Sequence, residues 1–202
     1  MISLRYRMCM NEKDITHAIN VLRNGGIIAH ATETCYGFAC DPFNEKALAR
    51  LYALKKMAHT KPVALLVPDL KTAEQFGVFT PNARELAQKY WPGPLTIIVK
   101  RKKELPSFLN PGTPTIGMRV PDHELSLDFV KAFGGPLVTT SANITTQPSP
   151  YSAEEIKAQF KNEKLKPNFV IDSGVIPYNP PSTIVDCTSV TPVVIRQGSI
   201  FL

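Results

Sequence analysis

LYALKKMAHTKPVALLV, residues 51–67, carries three lysines and a histidine, holds no acid, and then runs into an apolar stretch. Leu51 and Leu54 continue a spacing begun at Ala47 and Leu48, which marks one face of a helix. Asn44, just ahead of that pattern, is a residue type that caps helices by accepting a backbone N–H bond. The pattern fails near Met57. Pro62 then opens a run too short for a helix and too uniformly apolar for a surface strand, so 62–67 is predicted to be a buried strand. Helix, basic turn and buried strand in that order point to an α/β chain.

The same alternation extends in both directions. Residues 14–23 place Ile15, Ala18, Ile19 and Leu22 at helical spacing, and Gly25 and Gly26 stop them. Residues 27–31 read as a buried strand. Pro81 suits the first turn of a helix over 81–90. Strands are predicted at 95–100 and 115–120, a helix at 123–133 ended by Gly134, and a strand at 136–140. Ser152 followed by Glu155 caps a helix over 152–160, and strands follow at 169–172, 183–186 and 193–196. Some strands succeed each other without a helix, so the expected sheet is mixed, twisted and open, flanked by helices.

A chain of 202 residues with 44% hydrophobic and 20% charged residues is long enough for one sizeable core. It is expected to form a single domain over 1–202. The net charge of +6 favours anionic partners, nucleotides or nucleic acid, without choosing between them. Solubility alone accounts equally well for such an excess. The cysteines are Cys9, Cys35, Cys40 and Cys187; they form no C-x-x-C pair and no zinc spacing, so reduced thiols, no protein-held metal and a cytoplasmic location are expected. The opening MISLRYRMCMNEKD lacks the apolar core of a signal peptide, and no run is long enough to cross a membrane.

Four polar clusters stand beside strand ends, where open α/β sheets bind ligands. HATETCYGFACD, 30–41, follows the first strand with hydroxyls, an acid and Gly37; taken alone it reads as an ordinary turn. Lys55 and Lys56 end a helix, where cations are mildly favoured, but Lys61 lies past the break, and three ammonium groups around one turn suit a polyphosphate. GGPLVTTSAN, 134–143, packs Thr139, Thr140, Ser141 and Asn143 after a strand. Arg119 in GMRVP and Arg196 near the C-terminus each lie at a strand end, a pattern that more often means a structural ion pair but also suits carboxylates and phosphates. G-x-G-x-x-G, Walker and G-x-S-x-G motifs are all absent, which excludes the common dinucleotide, P-loop and serine-hydrolase sites.

Taken together, T-E-T-x-Y-G at 32–37, KPVALLV, YWPGPLTIIV at 90–99, TIGMRVPDH at 115–123, PLVTTSAN at 136–143, STIVD at 182–186 and IRQG at 195–198 resemble the YrdC/YciO family, nearly end to end. Its best-defined members are TsaC-type L-threonylcarbamoyladenylate synthases. The resemblance implies an open twisted α/β sheet with a large basic concave cavity. It implies formation of L-threonylcarbamoyladenylate and pyrophosphate from L-threonine, bicarbonate and ATP, with Mg²⁺ on the triphosphate. The product would pass to a separate transferase that completes the t⁶A modification of tRNA. By the same resemblance Thr32, Thr34, Arg119, Thr139 and Ser182 form the L-threonine end. Lys55, Lys61, Thr115, Ser141, Asn143, Ser149 and Arg196 contact ATP. Lys55, Arg119, Ser141 and Asn143 are the expected catalytic set. Two departures stand out: Lys55-Lys56-Met57-Ala58 replaces the family's Lys-x-Arg-Pro, and Ala31 replaces a proline. TIGMRVP and TPVVIRQG look closer to the YciO branch. The alternatives are therefore a nucleotide-binding paralogue with weak or altered activity, and a protein that binds tRNA or double-stranded RNA through its basic face.

Overall fold

The computed structural model describes residues 12–202; Cys9 and the opening stretch lie outside them. Helix α1 (Glu12–Arg23) leads to strands β1 (Ile28–His30) and β2 (Gly37–Cys40). Helix α2 (Glu45–Leu54) begins at Asn44, whose side chain accepts from the Ala47 N–H at 3.0 Å, as its sequence position predicts. Then come β3 (Ala64–Leu66), α3 (Leu70–Phe76), β4 (Gly77–Val78), α4 (Pro81–Tyr90), β5 (Leu95–Arg101) and β6 (Thr115–Arg119). Helix α5 (Glu124–Phe133) ends at Gly134, whose φ of 84° is a left-handed conformation that glycine adopts without a Cβ clash. The chain continues with β7 (Leu137–Ser141), α6 (Ala153–Gln159), β8 (Phe169–Val170), β9 (Thr183–Asp186) and β10 (Val193–Arg196).

The strands form one mixed sheet in the order β10-β9-β5-β6-β3-β7-β2-β1-β8, with β4 paired to β5. β1–β8, β3–β6 and β5–β9 are parallel and the remaining pairs antiparallel. Three elements differ from the sequence expectation. α3 buries only Ala73, so it carries no apolar stripe to announce it. β2 is buried at every position and opens on glycine, so the strand-like region that holds Cys35 and Cys40 lacks the alternation that would set its bounds. β4 is two residues long.

The two sheet faces are treated differently, and this makes the site. On one face Phe38, Leu65, Ile97, Val99, Met118 and Val138 join Leu48 and Leu51 of α2, Ala83 and Ala87 of α4 and Ile156 of α6 in the main core. On the other face Ile28, Ala39, Leu66 and Leu137 pack under α1 and α5, with Leu22, Phe129 and Val130. That second cover is incomplete. Register places Ala64 beside Thr139, Gly37 beside Ser141 and Gly117 beside Ile98 on the same side of the sheet. Apart from Ile98 these positions are small or polar, and most are half-buried. A Cβ on Gly117 would approach Thr96 Cγ2 to 3.2 Å, and one on Gly37 would approach the Thr140 carbonyl oxygen to 3.2 Å, so side chains there would fill the floor of the trough.

Candidate functional site

Three hydrogen-bonded clusters line this trough. The first is the loop after β1. The Thr32 hydroxyl accepts from the N–H groups of Thr34 (3.2 Å) and Cys35 (3.3 Å) and donates to the Cys35 carbonyl (2.7 Å). Its proton being spent there, the Thr34 hydroxyl, 3.0 Å away, is the donor of the Thr32–Thr34 pair. Arg119, at the end of β6 and only 6% exposed, donates through Nη1 to Glu33 Oε1 (3.0 Å) and Thr34 Oγ1 (3.4 Å). The expected threonine end, Thr32, Thr34 and Arg119, is thus a connected network.

The second cluster knots the end of β7 to the end of α2. Lys55 is the C-cap of α2 and is 3% exposed. Its Nζ donates to the Ser141 carbonyl, to the Asn143 carbonyl (2.8 Å) and to Asn143 Oδ1 (3.2 Å). Ser141 Oγ donates to the same Asn143 Oδ1 at 2.5 Å, and Asn143 Nδ2 donates to the Gln147 carbonyl at 2.5 Å. All three ammonium protons of Lys55 are engaged. In this conformation Lys55 spends its donors on the turn that it holds, and what it adds beyond that turn is its charge. Burial, and next the charge of Lys61, lower its pKa to about 8.

The third cluster joins β10, β9 and β5. Arg196 donates through Nε (3.1 Å) and Nη2 (2.7 Å) to the Ser182 carbonyl, and through Nη2 to Ser182 Oγ (3.0 Å). Ser182 Oγ in turn lies 3.0 Å from Thr96 Oγ1. Burial first, and then Arg119, lower the Arg196 pKa.

Cys35 connects the three clusters, a role the sequence did not suggest. Its thiol feels the charges of Arg119 and Lys55 and the neighbouring Thr34 and Ser149, and Arg196 feels Cys35 in turn. Burial outweighs those cations and raises the thiol's pKa. Cys40 and Cys187 are fully buried, whereas Cys35 is partly exposed. Slow alkylation of Cys35 by iodoacetamide is therefore expected to block the trough, and ligands of the site should slow it further. Peptide mapping by mass spectrometry reads this; ligand-independent labelling would place Cys35 outside the site.

The other candidates are placed less tightly. Thr139 lies on the trough floor between Ala39 and Ala64. The Lys61 side chain is exposed; its carbonyl is held by the Tyr52 hydroxyl at 2.9 Å. Thr115 stands at the opposite end of β6 from Arg119, four residues or about 13 Å along the strand. It adjoins an open hollow of about 680 Å³ lined by Arg101, Lys102, Lys103 and Pro114. Two cations of that basic triplet are structural: Arg101 donates to the carbonyls of Leu109 (2.5 Å) and Pro106 (2.8 Å), and Lys102 to that of Glu74 (2.6 Å).

Lys56 and Met57 occupy the stretch where the family pattern has its arginine. Lys56 is in the left-handed conformation at φ 50°, and its ammonium pairs with Glu163 at 2.8 Å. Met57 is 7% exposed and packs in the main core. Neither side chain supplies the missing guanidinium. Among the described residues no group of three or more His, Cys, Asp or Glu gathers as metal ligands, and no helix is long and apolar enough to cross a membrane.

The family model of the Sua5/YciO/YrdC proteins, described as telomere recombination, matches residues 20–198 and so spans all three clusters. The chain belongs to the Sua5/YciO/YrdC family. A threonylcarbamoyl-AMP synthase of Rattus norvegicus is 39% identical over 160 residues, 79% of this chain and 55% of that protein. The structure of P. abyssi Sua5 complexed with L-threonine superposes with a TM-score of 0.87 at 30% identity, covering 94% of this chain and 55% of that one. E. coli YciO superposes at 0.83 with 28% identity, covering 94% and 91%. The chain therefore spans about half the length of the rat and archaeal relatives. The open, twisted, mixed α/β sheet flanked by helices is the fold that these Sua5/YciO/YrdC structures share.

Proposed function

We propose that this chain is a threonylcarbamoyl-AMP synthase domain, a single unit over residues 1–202, working in the cytoplasm. L-threonine, bicarbonate and ATP would give L-threonylcarbamoyladenylate, pyrophosphate and water, and a separate transferase would carry the product to tRNA as t⁶A. The observation that carries this reading is the pair of networks that adjoin where the start of β2 pairs with the end of β7. Arg119 with Thr34 and Thr32 suits an amino acid, and the Lys55–Ser141–Asn143 knot with Arg196 suits a nucleotide. The L-threonine complex of the archaeal relative and the synthase name of the rat relative support both assignments.

On this reading Arg119 pairs with the threonine carboxylate, and Ser182 and Thr139 line the same end. Lys61, Arg196, Ser141, Asn143, Ser149 and Thr115 face ATP, with Lys55 holding the turn that presents Ser141 and Asn143. Such a site works by approach and charge neutralisation: the amine is held against bicarbonate, and cations screen the α-phosphate while pyrophosphate leaves. The cations and hydroxyls that the trough offers suit a triphosphate, and on this reading Mg²⁺ arrives with it.

Met57 favours a second reading, a nucleotide-binding paralogue whose synthase activity is weakened for want of the arginine. Pyrophosphate release from ATP and bicarbonate, with and without L-threonine, separates the two. A synthase releases pyrophosphate only with threonine, and Met57→Arg leaves its turnover within about threefold, a change of under 1 kcal/mol in the barrier. Release that emerges only in Met57→Arg assigns the chain to the weakened paralogue. The RNA-binding alternative rests on charge alone, and two cations of the basic triplet at 101–103, Arg101 and Lys102, are held by backbone carbonyls.

A further inference from the structure

Glu33 has no part in the roles given so far, yet it sits at the centre of the T-E-T turn. The Thr32 hydroxyl folds that turn by bonding to Thr34 and Cys35, which leaves the Glu33 side chain beside Arg119. Asn179 clamps the other side of the residue, its Nδ2 donating to the Glu33 carbonyl at 2.7 Å. Glu33 Oε1 pairs with Arg119 Nη1 at 3.0 Å, with the two side chains 13% and 8% exposed. Glu33 Oε2 is buried and has no hydrogen-bond partner among the described residues.

An arginine facing a carboxylate usually satisfies both oxygens through a two-pronged fork. Here Nη1 is shared between Glu33 and Thr34, and the second oxygen is left over. A buried carboxylate oxygen without a donor costs stability, so it calls for a donor supplied from elsewhere. The neighbouring hydroxyl protons are already committed: Thr34 donates to Thr32, and Thr32 to the Cys35 carbonyl. The region therefore presents lone pairs beside one guanidinium. An α-amino acid carries the matching pair, a carboxylate and an ammonium joined through one carbon.

We propose that Glu33 recognises the α-ammonium group of the amino-acid substrate, with Oε2 accepting its hydrogen bond while Arg119 holds the carboxylate. This rests on the synthase reading above and adds to it the group that selects an amine-bearing acid. It also places the amine beside an acceptor at the point where it must meet bicarbonate.

The test is calorimetric titration of the full chain and its Glu33→Gln variant with L-threonine, with 3-hydroxybutanoate and with ATP. 3-Hydroxybutanoate keeps the carboxylate and the hydroxyl but lacks the amine. Glu33→Gln is expected to weaken L-threonine at least tenfold, to leave ATP within twofold, and to leave 3-hydroxybutanoate no weaker than in the wild type. Raising the pH through the amine's own pKa should weaken threonine for the wild type and not for the variant. Threonine binding equal to or tighter than wild type would overturn the proposal and make Glu33 a competitor for Arg119. Equal weakening of threonine and 3-hydroxybutanoate would overturn it too, reducing Glu33 to a support for Arg119. A wild-type chain that binds ATP but no L-threonine removes the synthase reading itself, and the proposal with it.

Discussion

Lys55→Met is expected to lower the melting temperature by about 4–8 °C, which for a chain of this size corresponds to roughly 2 kcal/mol. Methionine keeps the length and the apolar stem but removes all three donors. The Ser141 carbonyl, the Asn143 carbonyl and Asn143 Oδ1 then lose a charged partner in a place that is 3% exposed. Hydrogen bonds to a charged group contribute about 1.5–3 kcal/mol each, and burying the ammonium offsets part of that, which gives a net loss of about 2 kcal/mol. Activity should fall further than stability. The turn that presents Ser141 and Asn143 loosens and a positive charge leaves the trough, so turnover is expected to drop about 10²–10³-fold, as when one preorganised donor is lost. Lys55→Arg should not rescue it, because a planar fork does not converge on three acceptors as an ammonium does.

The pH dependence has a definite sign. The folded pKa of Lys55 is about 8, below that of a free lysine. Between those values the unfolded chain binds more protons, so this group's contribution to stability rises with pH from about 8 to about 10.4. Lys55→Met should lack that rise. Differential scanning calorimetry at pH 7 and pH 9.5 with a pyrophosphate assay measures all of this, and a variant with wild-type melting and turnover would remove Lys55 from the site.

Lys55 also marks the boundary of what the sequence reveals. Its place at a helix end was legible, since Asn44 and the spacing of Ala47, Leu48, Leu51 and Leu54 define α2. Its partners lie 86 and 88 residues away, and no local pattern announces them. A lysine expected to contact phosphate is found with its donors spent on the protein. α4 was legible to the residue because Thr80 and Pro81 mark its start chemically. α3 and β2 were not, since one has no apolar stripe and the other has no polar side. The departure at Met57 was visible, but its consequence was not: whether Lys56 could substitute depended on a left-handed backbone and on Glu163, more than 100 residues on. Cys35 lies among Arg119, Lys55 and Arg196 through tertiary placement alone. Thr32, Thr34 and Arg119 were assigned together by resemblance, and the network that joins them is a property of the fold.

Acid should unfold this protein earlier than its carboxylates alone require, and His30 is the main reason. It is fully buried on β1, its ring edge-on to Phe129 with centroids 4.5 Å apart. Its Nδ1 lies 3.0 Å from the Ala31 carbonyl, which can only accept, so Nδ1 carries the proton and Nε2 is bare. Nε2 is buried with no partner among the described residues. Burial holds the pKa down to about 3, against an ordinary 6.5. As pH falls from 6.5 towards 3 the unfolded chain takes up a proton that the folded chain refuses, so stability falls, by about 1.4 kcal/mol per pH unit well inside the window. At pH 4.5 the loss from this residue is therefore roughly 2–3 kcal/mol, a large share of a typical folding free energy. His123, near Ser126 Oγ at 3.4 Å, is also lowered by burial and adds in the same direction. His30→Phe keeps an aromatic ring against Phe129, and the Ala31 carbonyl still accepts from Ser126 Oγ at 2.5 Å. The variant should lie within about 1 kcal/mol of wild type at pH 7, the scale of one lost neutral hydrogen bond, and become the more stable of the two below about pH 5. Urea unfolding from pH 7 to pH 4.5 decides it: parallel pH slopes for the two proteins would mean that His30 is protonated in the folded state, and the trough beside Gly37 would then hold a buried cation instead of a bare nitrogen.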